Sequence, residues 1–134
     1  MNSLYAAVLA IIVSLVRRLP QEQAEVMATA ISETAQTREE AAMLLTVSYF
    51  ETGFRSRGPV IPFGLSGAPR ACQLGLTYCA GVSLRSLRRA VRCSRQMDRV
   101  FGFYHTGRCL ADPYSTRQAA TYLRIFRRLE GQQQ

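Results

Sequence analysis

Glu51 is the residue around which this chain could do chemistry. It closes a segment that begins at Thr37, where Thr37 and Glu40 form a capping box, each side chain taking an orphan backbone donor of a helix start. Ala41, Leu44, Leu45 and Ser48 then recur at steps of three and four, which makes one helical face apolar and inward. Glu51 follows Ser48 by three residues and Leu44 by seven, so it shares that face. Gly53 ends the helix as a residue free to take positive φ. Burial and the negative end of the helix dipole both favour the protonated form of such a carboxyl group. A carboxylic acid kept protonated near neutral pH is what a general acid needs. The alternative is a surface glutamate in a frayed last turn.

The other reactive side chains are few. His105 is the only histidine, and a lone histidine is more often a surface or capped residue than a catalyst. Cysteines stand at 72, 79, 93 and 109, at gaps that match no zinc-ligand pattern, so neither a metal nor a cofactor is expected. An even count in a small chain fits two disulfides in an oxidising compartment; four reduced core thiols are the alternative. Three pairings exist for four cysteines. Joining neighbours in sequence, Cys72 to Cys79 and Cys93 to Cys109, closes the shortest loops.

The 134 residues, 48% hydrophobic, suffice for a single domain with a real core. All 17 basic residues are arginine, and the formal charge is +8. The charge is lopsided. Residues 1–54 carry three arginines against six glutamates, a net of −3, and residues 55–134 carry 14 arginines against three acids, a net of +11. A surface of that sign favours an anionic partner such as nucleic acid, an acidic membrane or a bacterial envelope.

The elements that must position these groups are helical. Leu4 to Val16 is an apolar run of 13 residues ending at Arg17 and Arg18, too short to span a bilayer and without the basic start of a signal peptide. It reads as a buried helix with Leu4, Val8, Ile11, Ile12 and Leu15 inward, with membrane tethering or export as the alternative. Pro20 opens a second helix over 21–35, with Ala24, Met27, Ala28 and Ile31 as its stripe. Glycines and prolines crowd residues 55–69 and predict an irregular loop, with a brief extended piece at 60–63. It is either a cleft wall or an ordinary linker. Helices are expected over 71–79, from Ser83 to 96, and from Met97 to His105, ending near Gly107. Ser115 with Gln118 repeats the capping box and predicts a last helix to Leu129, with Tyr122, Leu123 and Phe126 inward and Arg117, Arg124 and Arg128 as a basic stripe. Residues 131–134 should be a disordered tail. The expectation is a mainly α domain of six or seven helices with almost no sheet, divided into an N-terminal helix over 1–19 and a core over 20–130.

Three short blocks resemble a known superfamily. Glu51-Thr52-Gly53-Phe54, at the end of an apolar helix, resembles the "Glu-Ser-x-Phe" signature of lysozyme-like proteins, in particular soluble lytic transglycosylases and goose-type lysozymes. Phe63-Gly64-Leu65 stands where that family has a "Gly-Leu-Met-Gln" loop. Phe103-Tyr104-His105-Thr106-Gly107 looks like its "Ala-Tyr-Asn-x-Gly" block, with Tyr104 and Gly107 matching. The blocks come in the family order over residues 24–129. Thr52 replaces the usual serine and keeps the hydroxyl, His105 replaces the asparagine, and the glutamine of the second block is missing.

The resemblance implies a lysozyme-like fold and cleavage of the β-1,4 bond between N-acetylmuramic acid and N-acetylglucosamine in peptidoglycan. Glu51 would protonate the leaving oxygen and then act as base. The activated group is the sugar's own 6-hydroxyl in a transglycosylase, giving a 1,6-anhydro product, or water in a lysozyme, usually with a second carboxylate. Asp98 and Asp112, the only aspartates, lie in no matching block, which favours the transglycosylase. Thr52, Phe63, Gly64, Leu65, Tyr104 and His105 would contact substrate, and Tyr104 would hold Glu51 or the N-acetyl group by its hydroxyl. The implied partner is the glycan strand, with the arginines on an anionic envelope surface, and the implied location is outside the cytoplasm, as in a phage lysis protein. Two other classes stay open: an Arg-rich helical nucleic-acid-binding module, and a membrane-active or catalytically dead wall-binding protein.

Overall fold

A computed structural model describes residues 3–56, 60–64 and 69–131. It is mainly helical, with seven α-helices and no strand among the described residues. They are α1 (Ser3–Leu15), α2 (Gln21–Thr34), α3 (Arg38–Thr52), α4 (Pro69–Gln73), α5 (Leu76–Ala90), α6 (Met97–Thr106) and α7 (Pro113–Gly131). One hydrophobic cluster runs from Ala7 of α1 to Leu129 of α7, with Phe54, Phe63 and Phe101 as its largest fully buried side chains.

The apolar run at the N-terminus folds inward. Ala7, Val8, Ile11 and Ile12 are buried, and α1 packs on α2, α3 and α7. Burying residues such as Val8, Ile11 and Ile12 contributes roughly 1.5–3 kcal/mol each. No helix among the described residues is long and apolar enough to cross a membrane. In α2 the expected stripe of Ala24, Met27, Ala28 and Ile31 is buried throughout.

Helix α3 is the central element, with every residue from Ala41 to Ser48 buried. The backbone N–H of Glu40 donates to Thr37 Oγ1 (3.1 Å), while the Glu40 carboxylate accepts from the N–H of Gln36 (2.8 Å), one residue earlier than a standard capping box. The same carboxylate takes a two-pronged ion pair from Arg88 of α5, Nε at 2.7 Å and Nη2 at 3.1 Å, which bolts α5 to the start of α3. The Arg88 hydrogen bond, outweighing partial burial, holds the Glu40 carboxyl below its ordinary value of 4.5. A depressed carboxylate stabilises the fold above its unfolded value and loses that contribution as pH falls through the folded one. Glu40→Gln should therefore lower Tm at neutral pH by about 1–4 °C, a small effect because the arginine end is solvated. The gap should close on acidification below the ordinary carboxylate value; thermal melts of both proteins across pH 3–7 check this.

The stretch from 69 to 96 departs from expectation. The break falls at Gly75, whose φ of 135° only glycine adopts readily, so α4 is one turn and α5 starts at Leu76. Ser83, expected to cap a helix, lies inside α5 with its hydroxyl fully buried and no well-formed hydrogen bond. Helix α5 then stops at Ala90 instead of running to residue 96. Two disulfides join Cys72 to Cys79 and Cys93 to Cys109. The first clips α4 to α5; the second ties together the two connections that flank α6.

Helix α7 begins at Pro113, three residues earlier than a cap at Ser115 would place it. The Asp112 carboxylate accepts from the N–H of Ser115 (2.7 Å), and Ser115 Oγ accepts from the N–H of Asp112 (2.8 Å), so the capping pair is Asp112 and Ser115. Gln118, read as the partner of Ser115, is turned into the core. Leu123, expected inward, is exposed, while Tyr122 is buried and Arg117, Arg124 and Arg128 are exposed. The helix continues to Gly131, and residues 132–134 of the expected tail lie outside the described residues. The segment before α7 runs close over α6 at Gly102, where any Cβ would overlap the carbonyl of Leu110. That close approach fixes where α7 starts.

Candidate active site

Glu51 lies in the last turn of α3, and the chain reverses directly after it. Gly53 (φ 61°) and Phe54 (φ 66°) both take the left-handed conformation. The N–H of Gly53 donates to the carbonyl of Tyr49 (3.1 Å), the bond of a left-handed helix cap, and that of Phe54 reaches back to Ser48 (3.4 Å). Left-handed φ at a bulky residue costs on the order of 1–3 kcal/mol. It is held here because the Phe54 ring is fully buried and its carbonyl accepts from the Gln23 amide (3.1 Å).

The inward position expected for Glu51 is not observed: the side chain is exposed. It does share the face of Leu44 and Ser48, but in the last turn of α3 that face opens on a groove beside Tyr114 and Gly64, while Thr52 of the same turn stays buried. What surrounds it is specific nonetheless. The Tyr114 hydroxyl donates to Glu51 Oε1 (3.0 Å). On the other side, the backbone of Gly64 lies flat against the glutamate stem; a Cβ at position 64 would overlap Cγ and Cδ and sit 2.8 Å from Oε2. Gly64 has φ 72° and closes a turn by donating its N–H to the carbonyl of Ile61 (3.0 Å). Glu51, Thr52, Val60, Ile61 and Gly64 line an open groove of about 260 Å³.

The remaining expected residues are placed as follows. Phe63 is fully buried under the groove wall. Thr52 is buried, and its hydroxyl lies 3.3 Å from the carbonyl of Ser48 and 3.4 Å from that of Pro62, so it faces the turn at 60–64. The Tyr104 hydroxyl donates to the carbonyl of Phe63 (2.6 Å) and so anchors that turn to α6; it is given to Phe63, not to Glu51. The brief extended piece expected at 60–63 is this turn. His105 is exposed, and its ring packs on Tyr114 with centroids 4.9 Å apart. Leu65 lies outside the described residues, as do residues 57–59 and 66–68 of the Gly/Pro-rich loop.

Tyr114 is the residue that sequence reasoning missed. Its ring is held edge-on by Phe50 (5.7 Å), by His105, and by the Arg117 guanidinium 6.0 Å above it. Asp112-Pro113, an N-cap followed by the residue favoured at the first helical position, is the signal that would have opened α7 there and put Tyr114 in its first turn. Burial pushes the Tyr114 phenol well above its ordinary value, and the Glu51 charge and hydrogen bond add to that. Tyr104 is raised in the same way, first by burial and further by Glu51, with Ser83 opposing. Both phenols remain protonated donors through any physiological pH.

Chemically, the arrangement is one solvent-accessible carboxyl group with a fixed hydroxyl on one oxygen and glycine backbone against its stem. Such a group can donate a proton and take one back. The second candidate carboxylate, Asp112, is engaged in capping α7, where the Ser115 backbone N–H, more than any other contact, holds it below the usual carboxylate range. Asp98 accepts from the N–H of Arg99 (2.8 Å) in the first turn of α6. No group of three His, Cys, Asp or Glu side chains suited to a metal ion occurs among the described residues. Comparison of the chain with protein-family models, curated proteins and solved structures gives no match.

Proposed function

We propose that the protein cleaves the glycan strand of peptidoglycan at the bond between N-acetylmuramic acid and N-acetylglucosamine, with Glu51 as general acid and then base. The observation that carries the reading is the Glu51 carboxylate at an open groove, held between the Tyr114 hydroxyl and the Gly64 backbone. The lysozyme-like likeness of the blocks at 51–54, 63–65 and 103–107 supports it, because the chain order of the blocks matches a helix end, a groove turn and the helix α6 that anchors that turn. Glu51 protonates the glycosidic oxygen as the bond to the muramic acid breaks, then withdraws a proton from the attacking hydroxyl. With Asp112 and Asp98 each engaged by backbone N–H groups, that hydroxyl is the sugar's own 6-hydroxyl, and the reaction is a lytic transglycosylation. Two disulfides support action in an oxidising compartment outside the cytoplasm, and the exposed arginines of α5 and α7 suit an anionic envelope. These features fit a phage lysis protein. The direct test is turbidity of a suspension of purified sacculi, which falls with the protein and stays constant with Glu51→Gln.

Tyr114→Phe keeps the ring among Phe50 and His105 and removes only the donation to Glu51. A hydrogen bond to a charged group is worth about 1.5–3 kcal/mol when protected, and less at an exposed site. The variant should lose about tenfold in kcat on soluble glycan fragments, with KM and Tm nearly unchanged. An unaltered kcat would remove Tyr114 from the site.

A second reading is favoured by exposed arginines: Arg85 and Arg89 on α5, Arg92 just after it, and Arg124, Arg127 and Arg128 on α7. In it, the protein is a nucleic-acid-binding module whose affinity falls steeply with salt and is indifferent to Glu51.

A further inference from the structure

A second cavity lies on the far side of the α3 terminus from the Glu51 groove. It measures about 470 Å³, within the range of roughly 300–1,000 Å³ in which small ligands bind, and is walled by Val16, Leu19 and Pro20 of the α1–α2 connection. Thr52 and Gly53 form its inner side, so Thr52 touches both this cavity and the groove. Arg18, Glu22, Gln23 and Arg55 complete the lining; Arg18 and Arg55 are exposed, and two guanidiniums against one carboxylate give the rim a net positive charge. Arg55 is not a loose chain end: its Nε donates to the carbonyl of Thr52 (2.9 Å), which fixes the arm and points the guanidinium group at this turn. No aromatic ring lines the cavity for a pyranose face, and Val16, Leu19 and Pro20 give it one aliphatic wall.

We propose that this cavity binds a single-chain amphipathic anion, with the aliphatic tail against Val16, Leu19 and Pro20 and a carboxylate or phosphate between Arg18 and Arg55. Aliphatic walls reward a tail by the area they remove from water, and an arginine fork pairs with a carboxylate or phosphate through two parallel bonds. The cavity volume suits one chain and not the paired chains of a bilayer lipid. The site does not depend on any reaction at Glu51. Its ligand would brace the turn at Thr52 and Gly53 from behind, next to the groove.

The test is titration of the full-length protein with decanoate, with decyl lysophosphatidylglycerol and with decyltrimethylammonium, each below its micelle concentration, followed by calorimetry and amide chemical shifts. Decanoate or the lysolipid should bind at least about tenfold more tightly than the cation of equal tail, moving the amides of Leu19, Gln23 and Gly53. Tighter decanoate points to a free acid as the natural ligand, and tighter lysolipid points to a lipid headgroup. The double variant Arg18→Gln, Arg55→Gln, at two exposed positions, should erase the preference for the anion. Val16→Phe should fill the cavity and abolish binding of the tail. Equal affinity for anion and cation, unchanged binding by the arginine variant, or shifts confined to other parts of the protein would overturn the assignment.

Discussion

Glu51→Gln should reduce the release of soluble muropeptides from purified sacculi by at least about a hundredfold, within the roughly 10²–10⁴ that a positioned proton donor and acceptor supplies. The amide has the shape of the carboxyl group, and its oxygen can still accept from Tyr114. It lacks a proton acidic enough to give to a departing glycosidic oxygen, and it cannot take one back. Because the side chain is exposed, the fold should be indifferent to the change, with Tm held to within about 1 °C. A loss of activity at constant Tm therefore reports chemistry and not unfolding. Glu51→Asp should fall between the two proteins: it keeps the acid but retracts it by one methylene from the place the groove prepares for it, a displacement of a kind that costs about 10²-fold.

The second large effect is expected at Gly64. Its φ of 72° is costly for any residue with a Cβ, about 1–2 kcal/mol, and the Cβ of an alanine there would overlap the stem of Glu51. Gly64→Ala should thus lower Tm and also push the carboxylate away from Tyr114, cutting activity by about a hundredfold. Backbone strain alone would explain the first effect and not the second. Gly75→Ala separates them. Gly75 also has positive φ, at 135°, but a Cβ there meets nothing within 4 Å, and it lies between α4 and α5. That variant should lose stability and keep its activity per folded molecule. Thermal melts paired with sacculus turbidity read both quantities; equal activity losses in the two variants would show that Gly64 matters only for folding.

The sequence speaks most clearly where local signals are strong. Thr37 with Glu40, Pro20, Gly53 and Gly107 bound α2, α3 and α6 almost to the residue, because caps and left-handed glycines act through the backbone they sit in. Helices α4 and α5 were misplaced for the opposite reason. Ser83 has the chemistry of a cap, but tertiary packing buries it within α5, and the break belongs to Gly75. Depth was also illegible. Periodicity puts Glu51 on the face of Leu44 and Ser48, yet a period states direction and not depth, and at position 51 that face meets the open groove while Thr52 and Phe54 stay buried beside it. The Tyr114 contact spans 63 residues of sequence and depends on α7 opening at Pro113, on Gly102 admitting the backbone of Leu110, and on His105 and Phe50 bracing the ring. No local pattern contains that combination. The pairing of neighbouring cysteines, by contrast, followed from loop length alone and agrees with the disulfides seen.

Mass spectrometry of the soluble products from purified sacculi, run with the protein and with Glu51→Gln, addresses the account at its centre. Muropeptides ending in 1,6-anhydro-N-acetylmuramic acid should appear with the first protein and be absent with the second. The same products from both proteins, or intact sacculi after incubation with the folded protein, would contradict a glycan-cleaving role for Glu51.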